Sequence, residues 1–420
     1  MRICQRIILL LIGFSTALWA QKILIPMDFQ QTDHLKAYGV AYWTLAQEVK
    51  VEWLLNYRGG SFLMDDYEGV RRELRLRGVQ FETLSPEALL GVYSTIEENN
   101  MDIILLEKAA RIAIYSPPNK QPWDDAVTLA LTYAEIDYDI IWDREVLEGK
   151  LSEYDWLHLH HEDFTGQYGK FYASYRNSEW YVQQQMEFER MAARLGFGTV
   201  SEEKKAVARE IKKYIAGGGF LFAMCSATDA LDIALAAEGV DIAATVFDGD
   251  PVDPQAQQKL DFSKTLAFEN FRIYPDPMLY EYSDIDYPPS TIGLAPGADV
   301  DFFSLFEFSA KYDPVPTMLT QNHVGVIKGF MGQTTGFKRD KIKKSVVVMG
   351  EVEGGEQVKY IHGNLGKGTF TFYGGHDPED YKHYVGDPPT RLELHRNSPG
   401  YRLILNNVLF PSARKKERKT

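Results

Sequence analysis

Three groups of residues in this sequence are of types, and at spacings, that could do chemistry: Cys225, His376 and the run His158–Asp163. Cys225 closes the apolar run Phe220-Leu-Phe-Ala-Met and is followed by Ser-Ala-Thr-Asp229. That run reads as a strand, and a helical pattern begins by Ala230, so the thiol sits on a strand-to-helix turn. Such a turn tolerates only small residues two positions to either side, and Ala223 and Ala227 stand there. The dipole of the following helix favours thiolate, and the amide of Ser226 is placed to donate to an oxyanion. The competing reading is a core cysteine beneath a tight turn.

His376 lies in Tyr373-Gly-Gly-His-Asp-Pro-Glu379, directly after another apolar run. If the two strands are parallel, Cys225 and His376 emerge at the same sheet edge, where ligands of open α/β sheets bind. Thiol, imidazole and the carboxylate of Glu379 or Asp377 then suit nucleophilic acyl transfer, with Cys225 within hydrogen-bond reach of His376 directly or through one water. Read alone, His376 is a turn histidine.

In His158-Leu-His160-His161-Glu162-Asp163, strand alternation puts His158 and His160 on one face and His161 on the other. The spacing fits no zinc motif and no second ligand cluster is visible, so neither metal nor other cofactor is expected. His160, His161 and Glu162 are expected to border the cleft and, with Ser226, contact substrate. The segment Gly363–Thr369 looks faintly like a phosphate loop, but a strand follows it where a helix is required. The rings between Tyr168 and Tyr181 suit a lid over a sugar or peptide, or core packing.

The elements around these residues follow a strand–helix–strand rhythm. Lys22 to Ala109 reads as a small α/β unit, and Ile112–Tyr115 starts a second pattern that predicts a mainly parallel sheet flanked by helices. The expected organisation is a signal peptide over 1–20, an N-terminal α/β domain over 21–110, and a larger domain over 111–411. Insertions interrupt the larger domain at 164–200 and 239–344, and a basic tail covers 412–420.

Composition narrows the function. Hydrophobic residues make up 45% and charged residues 25%, a globular balance, and 420 residues exceed one ordinary core. The net charge is −14, although five basic residues crowd the tail and Arg2 and Arg6 sit at the start. A body this acidic repels nucleic acid and anionic lipid. Arg2 and Arg6 precede an apolar stretch, Ile7–Trp19, that is too short to span a bilayer, and Ala20 suits cleavage. A periplasmic or secreted protein with no span after signal removal is expected. It would keep Cys225 as its one thiol, since the other cysteine is Cys4.

From about Arg111 to Phe410 the pattern resembles the class I glutamine amidotransferase-like superfamily, with the ThuA-like branch nearby. The elbow at Cys225 and the late Gly375-His-Asp-Pro-Glu379 segment before a final helix carry the likeness. The family has alanine-free glycine flanks at its elbow and His-Pro-Glu in the late segment; here alanines flank the cysteine and Asp377 is inserted. The resemblance implies a flavodoxin-like parallel fold. The whole chain, through Ile25-Pro-Met-Asp28, His34–Tyr38 and Leu55–Gly60, also resembles an uncharacterised family of exported bacterial proteins often labelled asparagine synthetase B. The residues do not support that label: Arg2 stands where the synthetase needs Cys, and its Ser-Gly-Gly-x-Asp-Ser loop is missing. Two functions follow. One is a thiol-dependent amidohydrolase or esterase acting through Cys225, His376 and Glu379. The other is a non-catalytic module that binds a small molecule, glycan or peptide in the same cleft.

Overall fold

The computed structural model describes residues 21–119, 121–288, 297–307, 309–313, 324–382 and 384–413. The expected signal peptide and residues 414–420 of the expected basic tail lie outside them.

Local sequence sets the helix ends. Ser85 caps the helix Pro86–Glu98, whose first residue is the proline that an N-terminal turn accepts. Thr199 and Glu202 form a reciprocal capping box on the helix Val200–Gly217, and Gly218 at φ +126° ends it.

Five strands, β1 (Lys22–Ile25), β2 (Val51–Leu55), β3 (Ser61–Asp65), β4 (Glu82–Leu84) and β5 (Asp102–Leu106), form one sheet in the order β4-β1-β3-β2-β5. Every pairing in it is antiparallel. A second sheet contains β6 (Ile112–Tyr115), β7 (Asp139–Ile141), β8 (Trp156–Leu159), β9 (Phe220–Met224), β10 (Phe302–Leu305), β11 (Val326–Lys328), β12 (Phe337–Lys338), β13 (Val347–Glu351), β14 (Gln357–Leu365) and β15 (Gly368–Tyr373). Its order is β11-β10-β13-β14-β15-β9-β8-β6-β7, with β12 beside β14.

The expectation of a mainly parallel, flavodoxin-like sheet is therefore corrected. Only β7-β6-β8-β9-β15 run parallel; from β15 outward every pairing is antiparallel. The reason is connection length. A parallel pair needs a crossover of a dozen residues or more, and two residues suffice for a hairpin. Gly366 and Lys367 alone separate β14 from β15, with Gly366 at φ +60°, so that pair must be antiparallel. The five residues after β2 likewise return the chain as β3.

The two sheets share a core. The helix His34–Ala46 packs against the helices Ala126–Ala134 and Pro399–Leu409. The buried Arg402 donates to the carbonyls of Met27 (3.3 Å) and Gly59 (2.8 Å) across the boundary. Residues 168 and 181 in the aromatic stretch are core: Tyr168 and Tyr181 are buried, and Phe171 borders a cavity. Among the described residues no helix is long and apolar enough to cross a membrane.

Candidate functional site

Four parallel strands, β6, β8, β9 and β15, end at one edge of the second sheet, and the residues just past those ends meet there. β9 delivers Cys225 at φ +48°, a left-handed turn that costs a non-glycine residue energy, and the helix Ala227–Ala236 starts two residues later. Neighbouring strands hold the turn: Cys225 N donates to Gly375 O (3.2 Å) and Ala227 N to His160 O (3.1 Å). The thiol is only 2% exposed. Among the described residues its partners are backbone amides, with Gln333 N at 3.2 Å from Sγ and those of Thr334 and Ser226 alongside. Burial nonetheless pushes the thiol up to about 11, so it is neutral at pH 7.

His376, just past β15, is buried, and its ring packs edge-on against His160 and His161 at centroid distances of 4.6 and 4.5 Å. Glu379 does not face it: that carboxylate pairs with His395 Nδ1 at 2.9 Å. Asp377 is engaged as well, accepting from Tyr401 Oη (2.9 Å) and Glu379 N (2.8 Å). The structure thus brings Cys225 and His376 to one cavity and sends the expected third residue elsewhere.

β8 stops at Leu159, so the strict alternation ends before the histidine run does. His160 and His161 consequently stack, with centroids 4.1 Å apart. His161 Nε2 donates to Asp124 O at 2.9 Å. Glu162 folds back to accept from His160 N at 2.7 Å, and burial pushes it up to about 7.

Asp125 was not singled out by its sequence context. Its Oδ1 caps the helix Ala126–Ala134 through Val127 N (2.7 Å) and Thr128 N (3.0 Å). The same carboxylate faces His158 Nε2 and His160 Nδ1, each at 3.3 Å. Burial opposes its charge, but the two imidazoles outweigh that and hold its carboxyl well below the usual range. The helix pattern begins as early as Trp123 in the sequence, and both the cap at Asp125 and its reach to β8 belong to the structure.

A cavity of about 490 Å³ opens over this edge, bordered by Cys225, His161 and His376 with Trp123, Phe171, Tyr280, Tyr384, Asp286 and Gln333. A second, of about 330 Å³, shares Trp123, His161 and Phe171 with it and runs along Asp124, Asp125 and Glu162. The roof is the loop around Gly332, where a Cβ would come within 2.8 Å of His376 N and 3.1 Å of Cys225 Sγ. Lys359, buried, holds that loop by donating to Phe330 O (3.0 Å) and Thr335 O (2.7 Å).

No family model and no curated protein matches the chain. Solved structures similar to it include two cytoplasmic proteins from Salmonella typhimurium. They are 11% and 13% identical, with TM-scores of 0.34 and 0.35, and the matches cover 73% and 72% of this chain and all of theirs. A GH42 β-galactosidase from G. stearothermophilus is 12% identical with a TM-score of 0.27, matched over 63% of this chain and 27% of its own. Likenesses this distant carry no argument about activity.

Proposed function

We propose that the protein binds a hydroxyl-rich small molecule, of the glycan class, in the cavity between Cys225, His376 and the Gly332 loop. The observation that carries this reading is the wall itself. Trp123, Phe171, Tyr280 and Tyr384 offer ring faces, and Asp286, Gln333, His161 and His376 supply polar groups among them. Rings suit the apolar faces of sugars, and a few placed polar groups fix their hydroxyls. Burial, reinforced by Asp229, lifts the Asp286 carboxyl well above its ordinary range. On this reading Cys225 is a neutral wall residue. Titration calorimetry against a panel of neutral oligosaccharides tests it: a binder is expected, and Trp123→Ala or Tyr280→Ala should weaken it at least tenfold. A panel with no binder ends the reading.

A second reading, thiol-dependent hydrolysis of an amide or ester, is favoured by the left-handed turn at Cys225 and the three amides around its sulfur. Alkylation separates the two. The binding reading expects slow modification at pH 7 with a profile unchanged in His376→Ala; fast modification that loses its pH profile in that variant supports hydrolysis.

We also propose that the mature protein works outside the cytoplasm, on the support of Arg2, Arg6, the apolar Ile7–Trp19 and Ala20. N-terminal sequencing should find a mature end near Gln21. The acidic net charge supports a small-molecule ligand over nucleic acid.

A further inference from the structure

We propose that His160, His161 and His376 form a binding site for one divalent transition-metal ion of the zinc class, at the floor of the Cys225 cavity. Each residue offers a ring nitrogen, and the three nitrogens lie within 4.8 Å of one another. A tetrahedral ion at its ordinary metal–nitrogen distance holds nitrogens roughly 3.3 Å apart, so small ring rotations close the set.

The surroundings of the rings are those of metal ligands. A ligating imidazole is oriented by giving its other nitrogen to a carboxylate or a backbone carbonyl. His160 turns Nδ1 to the Asp125 carboxylate, and His161 donates Nε2 to the Asp124 carbonyl. Adjacent residues of one loop thus support both rings, and on the His160 ring this turns Nε2 to the ion. His160 supplies the independent evidence. It is 0% exposed, and its Nε2 has no hydrogen-bond partner among the described residues. Protonated, that atom is a buried donor with no acceptor; deprotonated, it is a buried lone pair with no donor. Either state carries a penalty of about 1–3 kcal/mol. An ion removes it.

Asp125, His158 and His160 form a second set of suitable spacing. There the carboxylate is already bonded to the amides of Val127 and Thr128, and His158 Nδ1 is bonded to Phe222 O at 3.0 Å. We assign Asp125 the outer position behind His160. His161 and His376 border the cavity, so a fourth coordination position opens into it and accepts a water or a ligand oxygen. This deepens the binding reading, since it supplies an anchor for a sugar hydroxyl; the ion itself is measured without any sugar.

The test uses the full mature chain, its metal content after dialysis, and titration with zinc or cobalt. One ion per chain is expected. His161→Gln and His376→Gln should each abolish stoichiometric binding with the thermal melt of the metal-free protein retained. Asp125→Asn should weaken binding by about 10–100-fold. Cobalt should give a tetrahedral spectrum without a thiolate charge-transfer band, unchanged in Cys225→Ser. The proposal is overturned if no ion binds, if both glutamine variants keep it, or if the thiolate band is present. A metal-binding protein with no affinity for sugars would leave the site standing and end only the glycan reading.

Discussion

Two clusters of buried charge flank the parallel strands, and they differ in what completes them. Beside β6, Lys204 Nζ lies 2.6 and 2.7 Å from the two oxygens of Asp143 and 3.2 Å from Tyr115 Oη, with the Trp142 ring beneath it at 3.8 Å. Tyr115 donates to Asp143 as well. Burial keeps the neighbouring Glu203 protonated, up to about 8, so the charges of lysine and aspartate cancel. Past β8, Asp125 faces two imidazoles, yet His160 Nε2 is left without a partner among the described residues. In the first cluster lysine, aspartate and tyrosine complete one another within the chain. In the second, His160 Nε2 has neither a hydrogen bond nor an ion pair among the described residues, and its ring packs against His161 and His376, which border the cavity. Buried polar groups that their neighbours complete serve the fold; at His160 the atom without a partner lies beside two further imidazoles at a cavity, which is where an ion fits.

The largest effect should come from breaking the closed cluster. Lys204→Met leaves Asp143 buried without its cation and should cost about 3–5 kcal/mol in chemical denaturation. A loss below 1 kcal/mol would erase the contrast between the clusters.

A third buried imidazole sharpens it. His362 is bonded through Nδ1 to Thr371 Oγ1 at 2.9 Å, and burial lowers it from 6.5 to about 3. Its folded value is below its unfolded one, so the unfolded chain binds the extra proton. Stability is full above pH 6.5 and falls as pH drops toward 3, by about 2 kcal/mol at pH 5 from this residue alone. Denaturation midpoints at pH 7 and pH 5 should therefore converge by that amount in His362→Asn. An undiminished pH dependence would show that other groups carry the acid response.

The smallest effect on stability should come from the open cluster. Asp125→Asn keeps a capping side chain, so the expected loss is about 1 kcal/mol or less, although metal affinity falls. A loss as large as that of Lys204→Met would make Asp125 a structural residue first.

Much of the scaffold was legible. Cys225 at a strand-to-helix turn followed from an apolar run meeting small residues, and the helix after Ser85 followed from its cap and proline. The strands β3 and β5 are recognised only from their pairing in the sheet, where both lie beside β2. The parallel expectation fails at β14 and β15 because only Gly366-Lys367 joins them, a connection too short for a parallel pair.

What the sequence by itself determined is local: element starts and stops, the elbow at Cys225, and the cluster of histidines after β8. These depend on neighbours within a few residues, where propensity, capping and turn sterics act. The tertiary structure decided which groups face each other. Glu379 turned to His395 rather than His376, Asp125 reached His160 from another helix, and His376 joined His160 and His161 from a strand more than two hundred positions away. Such pairings depend on strand order and on burial, which raises the cost of every unpaired polar atom, and neither is written in the spacing of residues along the chain.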